Sequence, residues 1–305
     1  MKIRILLALL ILLSSSGSVM AQGCSDAGFC TVGSLGHQKD TIARNSLSMV
    51  LASGAGEQGV FVFTPAVQYA RRLNSTFTIQ TKVTANYASG ELGSVAGAGD
   101  LYLSAIVNPF RKDGFVPSFT AGLKFPLADG GMRRNGRGLP MPYQSSLGTT
   151  DLITGVTLSD GTWQFSLGWQ QPLTSSNENV FNPEVWPGGE AFDYFPSYML
   201  KRKADVLLRV VYGGQILRNF SASTGVLGIY HIGTDEYREP HSEMNYTRLK
   251  GSESLTINVT GTFDWKISTS FTAGVTVGFP VVVRDVRPDG LTRSIVVAPE
   301  IRWTF

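Results

Sequence analysis

Apolar and polar side chains alternate along most of the chain from about residue 44 onward, and this two-residue period constrains the fold more than any other feature. The segment 163–170, for example, reads Trp-Gln-Phe-Ser-Leu-Gly-Trp-Gln, and 271–279 reads Phe-Thr-Ala-Gly-Val-Thr-Val-Gly-Phe. This period is typical of β-strands with one apolar face. No segment of comparable length shows the 3.6-residue period of an amphipathic helix. The sequence therefore predicts an all-β protein.

The predicted strands are long. Strands of soluble proteins usually have about five or six residues, whereas strands that cross a bilayer in a barrel need about nine to eleven. The alternating segments of this chain match the longer class. Twelve strands are predicted, at 44–54, 59–72, 76–88, 97–109, 115–126, 148–159, 162–173, 200–212, 219–231, 253–263, 267–282 and 292–305.

The connections between these strands alternate in length. Wide links follow odd-numbered strands and include 127–147, 174–199 and 232–252, while tight links follow even-numbered strands. Among the tight links, Asp160-Gly161 is a strong hairpin signal. Short turns on one side and long loops on the other are typical of outer-membrane barrels, with the short turns in the periplasm. Both ends of the barrel are then expected on the periplasmic side.

A secreted β-sandwich is the alternative, because its strands also alternate. Its solvent face would be charged, whereas the polar face here is mostly Ser, Thr, Asn, Gln and Gly. Charged residues make up 16% of the chain, against roughly 25% in typical soluble domains. In lipid every backbone group must pair, which only a closed barrel achieves with strands. We therefore expect a twelve-stranded antiparallel transmembrane barrel over residues 44–305.

The first 21 residues have the pattern of a secretory signal peptide. Lys2 and Arg4 precede the apolar run 5–13, and Val19-Met20-Ala21 provides a cleavage site. A lipidated Cys24 is the rival interpretation, but the residues before it match a lipidation motif poorly. Without Lys2 and Arg4 the net charge of +3 falls to +1, which excludes the basic surface of a nucleic-acid binder.

Residues 22–43 are predicted to form a periplasmic or lumen-plugging segment in front of the barrel. It contains the only two cysteines, Cys24 and Cys30. In an oxidising compartment this spacing allows a disulfide. A metal site that also uses His37 is the alternative, but three loosely spaced ligands are weak evidence for one. No cofactor is expected.

The last strand ends on an aromatic residue. Trp303 and Phe305 share one face with Ile295, Val297 and Ile301, and Phe305 is the final residue. A terminal aromatic on an alternating strand resembles the signal by which the barrel assembly machinery recognises its clients. Trp303 and Phe305 are therefore the predicted assembly signal.

Ionisable residues on the polar face are expected to line the lumen, where they meet water or one another. Their role is either structural, as ion pairs that stiffen the barrel, or selective, by interaction with the solute. These residues are Lys82, Asp100, Lys124, Asp151, Asp205, Arg209, Glu300 and Arg302.

Four polar residues are predicted to form one row near the outer mouth. A turn at Asp160-Gly161 would place Asp151 opposite Gln170. A turn centred near residue 112 would place Asp100 opposite Lys124, which would also approach Asp151 on the neighbouring strand. We predict that the row Asp100–Lys124–Asp151–Gln170 influences solute selectivity.

The predicted outer loops carry no catalytic pattern. The three histidines have no nucleophile and orienting partner beside them in the sequence, so no enzymatic activity is expected. The basic stretch 132–137, Met-Arg-Arg-Asn-Gly-Arg, is expected to contact lipopolysaccharide phosphates, with a ligand site as the alternative. The loop 174–199 is rich in aromatic residues, which would form either a lid over the pore or part of an aromatic girdle.

Three segments resemble the outer-membrane family named for the meta-cleavage pathway of phenol degradation, which is grouped near fatty-acid and aromatic-hydrocarbon channels. They are Gly97-Ala-Gly-Asp-Leu-Tyr-Leu103, Pro117-Ser-Phe-Thr-Ala-Gly-Leu-Lys-Phe-Pro126 and Leu147-Gly-Thr-Thr-Asp151. The family often has Pro-Thr-Gly after its fifth strand, where this chain has Pro126-Leu-Ala128. The resemblance implies a passive channel for small hydrophobic or aromatic compounds.

The partners expected on this basis are outer-membrane lipids, lipopolysaccharide, the assembly machinery and a small hydrophobic solute, without nucleic acid. A surface-exposed structural or adhesion barrel, whose long loops bind a partner, is the alternative function. The sequence does not indicate an oligomeric state.

Overall fold

Twelve long strands close into a single antiparallel barrel in a computed structural model, which describes residues 44–109, 114–241, 245–290 and 293–305. Each strand pairs with the next barrel strand in the chain, and the last pairs with the first. The predicted fold is confirmed. The barrel strands are β1 (Asn45–Gly56), β2 (Phe61–Arg72), β3 (Phe77–Gly90), β4 (Gly93–Val107), β5 (Val116–Pro126), β8 (Asp151–Ser159), β9 (Trp163–Pro172), β10 (Ala204–Leu217), β11 (Phe220–Ile232), β14 (Leu255–Lys266), β15 (Phe271–Val282) and β16 (Arg293–Thr304).

The remaining elements are short and lie in the loops. Strands β6 (Arg133–Arg134) and β7 (Arg137–Gly138) form one small hairpin, and β12 (Glu236–Arg238) and β13 (Tyr246–Arg248) form another. Four 3₁₀ turns lie at Glu57–Gly59, Met141–Tyr143, Pro183–Val185 and Glu190–Asp193. Within the described ranges, no helix has the length and apolar character needed to span a membrane.

The two faces of the barrel wall differ sharply in polarity. Large apolar side chains point outward along every strand, such as Met49, Leu103 and Leu167, each with about half of its surface exposed. The inward face is mostly Ser, Thr, Gln, Asn and Gly. An exposed apolar belt of this kind is stable only in contact with lipid. The protein is therefore an integral barrel of the outer membrane.

The end of the barrel that carries the tight turns is called the inner rim, and the opposite end the outer rim. Aromatic side chains line the outward face near the inner rim. Phe220 stacks on Trp265 with ring centroids 5.9 Å apart, and Phe271 stacks on Trp303 at 6.1 Å. Such girdles mark the interface between the hydrocarbon layer and water. They define the level at which the strands leave the membrane.

The barrel is sealed at the inner rim by the last residue. The amide of Asn45 donates to the Phe305 carbonyl at 2.9 Å, and the Phe305 amide donates to the Asn45 carbonyl at 3.0 Å. The rings of Trp303 and Phe305 stack on the outward face at 4.3 Å. Their role as an assembly signal stays a prediction.

Replacing Trp303 with Asp, or deleting Phe305, is expected to leave the chain in the periplasm as a protease target. Both changes would break the aromatic pattern of the terminal strand, and the deletion would also remove the hydrogen bonds to Asn45. A charge on the lipid face costs up to about 1 kcal/mol at the interface, where Trp303 lies. The measurement is the yield of heat-modifiable barrel in isolated outer membranes. Thr304→Ser is the matched control, because Thr304 lies on the inward face of the same strand. A normal yield from the truncated chain would contradict the prediction.

The links between strands at the outer rim differ in length. The links after β1 (57–60) and after β3 (91–92) are short, whereas 127–150, 173–203, 233–254 and 283–292 are long. The three wide links predicted from the sequence are present. The rule that wide links follow odd-numbered strands fails for the first two, and the inner turns are all short.

Two predicted registers are wrong by two residues. Asp151 pairs with Pro172 rather than Gln170, and Asp100 pairs with Pro126 rather than Lys124. Because a shift of two keeps every side chain on its face, Lys124 and Asp151 still point into the lumen. Of the link between β4 and β5, residues 110–113 lie outside the described ranges, but the ladder centres on residue 113 rather than 112.

The turn chemistry at Asp160 explains the shift between β8 and β9. The Asp160 carboxylate accepts hydrogen bonds from the amides of Thr162 and Trp163, at 2.8 and 2.7 Å. Gly161 therefore occupies the first central position, with φ at 88°. The two-residue turn is Gly161-Thr162, one residue later than the hairpin signal suggested.

Candidate functional site

The long loop after β5 folds into the outer half of the barrel. The Tyr143 hydroxyl accepts from the Leu92 amide at 3.1 Å, and the Gln144 carbonyl accepts from the Asn86 side chain at 3.2 Å. The Ser146 hydroxyl donates to Asp100 at 2.6 Å. Residues 143–149 therefore run along the inner wall and narrow the lumen.

Two inward-facing glycines make room for this segment. A Cβ on Gly97 would lie 2.8 Å from the Ser145 hydroxyl, and one on Gly99 would lie 2.3 Å from the Thr84 hydroxyl and 3.2 Å from the Ser145 carbonyl. Contacts this short are not compatible with a side chain. The small residues of the segment 97–100 thus serve to seat the loop against the wall.

An apolar cluster holds the loops against β2 and β3. Phe181 and Tyr194 come from the loop after β9, and Tyr143 from the loop after β5; all three are buried. They pack on inward-facing residues of the wall, and the hydroxyls of Tyr143 and Tyr194 lie 3.2 Å apart. These two aromatic residues of 174–199 therefore pack inside the barrel and are not part of an outer girdle. Their partners are Val62 and Ala88 on β2 and β3, and Val60 and Leu92 in the short links at the rim.

Lys124 and Asp151 form a fully buried ion pair across β5 and β8. They are direct cross-strand partners, and the Lys124 Nζ lies 2.8 Å from the Asp151 Oδ2. Neither side chain has any exposed surface. Thr149 bridges the pair, since its hydroxyl accepts from Lys124 at 3.2 Å and donates to Asp151 at 2.6 Å. The Gln170 amide also donates to Asp151.

The row continues onto the next two strands. Gln170 is the cross-strand partner of Asp205 on β10, and Asp205 is the partner of His231 on β11. The His231 Nδ1 lies 2.7 Å from Asp205, and its Nε2 lies 2.8 Å from Asp235 in the following loop. Both ring nitrogens face carboxylates, so the imidazolium, with two N–H donors, satisfies both contacts.

Two arginines connect this row to the loops. Arg202, at the end of the loop after β9, binds Asp205 and, through Nε at 3.2 Å, Asp289 in the loop after β15. Arg284 also binds Asp289. We call the set the outer-mouth network. Its members are Lys124, Asp151, Gln170, Arg202, Asp205, His231, Asp235, Arg284 and Asp289.

The outer-mouth network is buried and balanced in charge. All nine members have less than a tenth of their surface exposed. With His231 as the imidazolium, four cations face four carboxylates. In a low-dielectric site each removal of one partner leaves an uncompensated charge, which is costly. The network therefore fixes three loops and the wall in one arrangement.

Ionisation in the loop part of the network follows from its contacts. Burial alone would lower the pKa of the Arg202 guanidinium, but Asp205 and Asp289 outweigh it and raise that pKa. Burial alone would raise the pKa of Asp289, but Arg284 and Arg202 hold that pKa well below its usual range. Both groups are charged at any physiological pH.

The other predicted lumen residues lie apart from the network. Arg302 pairs with Glu300 at 2.7 Å, with about a quarter of each side chain exposed. Lys82 and Arg209 are half-buried on the inward face of β3 and β10. Asp100 is buried, accepts from Ser146, and its amide donates to Thr84 at 2.8 Å. The role of the predicted row in selectivity stays a prediction.

The described side chains hold no evident catalytic or metal centre. No group of three or more His, Cys, Asp or Glu residues has metal-binding geometry in the described ranges. Cys24 and Cys30, with the predicted signal peptide and the predicted segment 22–43, lie outside those ranges.

Sequence reasoning missed five members of the network. Asp235, Arg284 and Asp289 lie in loops without periodicity, so no pattern indicated where their side chains point. Arg202 and His231 lie at the ends of two predicted strands in which the alternation is blurred. A weak signal for one contact is the spacing of His231 and Asp235, which flank Gly233.

The barrel resembles solved outer-membrane channels in its fold. It matches the COG4313 outer membrane channel from Pseudomonas putida F1 with a TM-score of 0.62 at 11% identity, over 88% of this chain and 97% of that one. It matches the NanC porin with a TM-score of 0.50 at 8% identity, over 85% and 98%. No family model matches the chain, and no curated protein does. The resemblance to the phenol-pathway family therefore stays a prediction.

Proposed function

We propose that the protein is a passive outer-membrane channel for small uncharged solutes, among them hydrophobic and aromatic compounds. The observation that carries this proposal is the polar lumen of a closed barrel, in which the charged residues of the outer-mouth network are paired with one another in buried ion pairs. A channel for ions of one sign would instead line its mouth with unpaired charge of the other sign. The fold of the solved outer-membrane channels supports the same class of function.

The loops favour a channel over an adhesin. A surface adhesin would present its long loops to a partner, whereas the loops here turn inward and pack on the wall through Tyr143, Phe181 and Tyr194. Residues 143–149 reduce the space inside the barrel, so the proposed solutes are small. We propose no enzymatic activity and no cofactor.

The proposed partners follow from the surface. The β6–β7 hairpin presents Arg133 and Arg134 as exposed cations, which suit lipopolysaccharide phosphates. Trp303 and Phe305 are proposed to engage the barrel assembly machinery. The predicted segment 22–43 is proposed to lie either in the periplasm or as a plug in the lumen.

The test is the swelling of liposomes that contain the purified protein, with three solutes that do not cross lipid unaided. We expect phenyl glucoside to enter at least as fast as methyl glucoside, although it is larger, because the channel favours uncharged aromatic compounds. Phenyl glucuronide, which carries a carboxylate, should enter at least several times more slowly.

Liposomes without protein, and liposomes with heat-unfolded protein, are the controls. Fastest entry of the glucuronide would contradict the uncharged class. Swelling equal to the empty liposomes for all three solutes would contradict the channel itself and support the adhesin.

A further inference from the structure

A groove lies on the outer surface where β9 and β10 leave the barrel wall. It has a volume of about 400 Å³. The paired ladder between these strands ends at Gln170 and Asp205, and the groove lies beyond this point, on the outer side of the membrane. Its lining residues are Trp169, Gln171, Thr174, Ser175, Lys201, Arg202, Lys203, Ala204 and Ile232.

The part of the groove nearest the membrane is apolar. Trp169 and Ile232 point outward, with 39% and 37% of their surfaces exposed. They stand at the upper edge of the lipid-facing belt, level with the outward Tyr230 on β11. Exposed Trp and Tyr at this depth mark the membrane interface. An acyl chain can therefore lie against this part of the groove.

The part of the groove farther from the membrane is cationic. Lys201 and Lys203 line it, and Arg248 is close by; the only described carboxylate that meets them is Glu236. The Lys203 Nζ lies 3.8 Å and the Arg248 Nε 3.6 Å from the Glu236 Oε1. The Lys201 Nζ lies 3.3 Å from the centre of the Tyr246 ring. Three cations against one carboxylate leave an excess of positive charge.

Arg202 connects the groove with the outer-mouth network. Its side chain lines the inner wall of the groove and binds Asp205 and Asp289. Its Nη1 is buried and has no hydrogen-bond partner within the described part of the chain. A buried guanidinium N–H without a partner is unusual in a native structure.

We propose that this groove binds a phosphorylated lipid of the outer leaflet, with the phosphate at Lys201 and Lys203 and an acyl chain over Trp169 and Ile232. The arrangement of an apolar base at the membrane interface below a cationic rim matches an anionic amphiphile. Gln171, Thr174 and Ser175 provide neutral hydrogen-bonding groups between the two parts. This inference is independent of the proposed transport function.

Free phosphate is a poorer match than a lipid. Phosphate alone would use the lysines but leave Trp169 and Ile232 without a partner. A lipid phosphate fits both parts, and its headgroup is restricted to the depth at which the lysines lie. Diphosphoryl lipid A, the phosphorylated lipid of the outer leaflet, is therefore the probe.

The test measures lipid binding to the purified full-length barrel by native mass spectrometry. We expect the Lys201→Gln/Lys203→Gln double variant to bind diphosphoryl lipid A roughly thirtyfold more weakly than the wild type, since each lysine near the surface contributes about a fivefold electrostatic effect. The matched control is Arg218→Gln/Lys266→Gln, which removes two exposed cations at the inner rim and should bind as the wild type does.

Two further probes separate the possible sources of the phosphate. Fully dephosphorylated lipid A should bind weakly to wild type and variant alike, and millimolar inorganic phosphate should not displace the lipid. Equal binding of lipid A by the wild type and the Lys201→Gln/Lys203→Gln variant would overturn the proposal, as would displacement by inorganic phosphate. Heat-modifiable migration establishes that each variant is a folded barrel.

Discussion

Replacing Lys124 with Met is expected to lower the free energy of unfolding by about 3–5 kcal/mol, although the barrel still assembles. The substitution leaves Asp151 as a fully buried carboxylate without its cation, and Thr149 and Gln170 supply only neutral hydrogen bonds. The measurement is urea unfolding in detergent micelles, followed by tryptophan fluorescence. The matched control is the double variant Lys124→Met/Asp151→Asn, which removes both charges and should recover most of the loss.

The same pair makes a signed prediction for selectivity. Lys124→Met leaves a negative charge at the outer mouth, so planar-bilayer currents should favour cations. Asp151→Asn leaves a positive charge and should favour anions, while the double variant should resemble the wild type. Reversal potentials that do not move in opposite directions would show that the pair lies away from the path of the solute.

Replacing Asp289 with Asn is expected to release the loop 283–292 and raise the single-channel conductance. Asp289 is shared by Arg202 and Arg284, and its loss leaves two buried guanidiniums around a neutral amide. Breaking a buried pair of this kind costs about 3–5 kcal/mol. Trypsin should then cleave after Arg284, a bond that the wild type protects.

Glu300→Gln is the control for this experiment. Glu300 pairs with Arg302 near the inner end of the barrel, where both side chains are partly exposed. Exposed pairs contribute about 0–1 kcal/mol, so this variant should keep the wild-type conductance and protease resistance. If Asp289→Asn behaved like Glu300→Gln, the network would not hold the loop.

The pH dependence follows from the lowered pKa of Asp289. An aspartate in the unfolded chain has a pKa of about 4. Because the pKa of Asp289 is lower in the folded protein, the stability that Asp289 contributes is fully present above the unfolded pKa of about 4. It declines as the pH falls below about 4 and is lost as the pH passes through the folded pKa. The conductance should therefore be constant from neutral pH to about pH 5.

The strands and the face of most side chains could be predicted from the sequence, because lipid on one side and lumen on the other favour alternation. The exact register could not, since it depends on which residue begins each turn. At Asp160 the carboxylate caps the amides of the next turn and moves the centre by one residue. The alternation of apolar and polar residues does not indicate which residue begins the turn.

Only part of the outer-mouth network could be predicted from the sequence. Lys124 and Asp151 lie on regular strands, so their direction followed from alternation. Arg202 and Asp289 lie 87 residues apart in irregular loops, and only the folded arrangement of those loops brings them together. Loop geometry depends on tertiary contacts such as Tyr143 with Tyr194, which have no counterpart in local sequence.

The seam between β1 and β16 has a kinetic consequence. It joins Ser46 to Thr304, so its closure fixes nearly the whole chain into one ring, whereas every other pair of strands closes a far shorter segment. The entropy of closing a loop grows with the logarithm of its length, at about 0.6 kcal/mol for each doubling. We therefore expect the seam to form last. Until it does, the folded sheet exposes two unpaired edges, each able to template aggregation, and Phe305 stands at one of them.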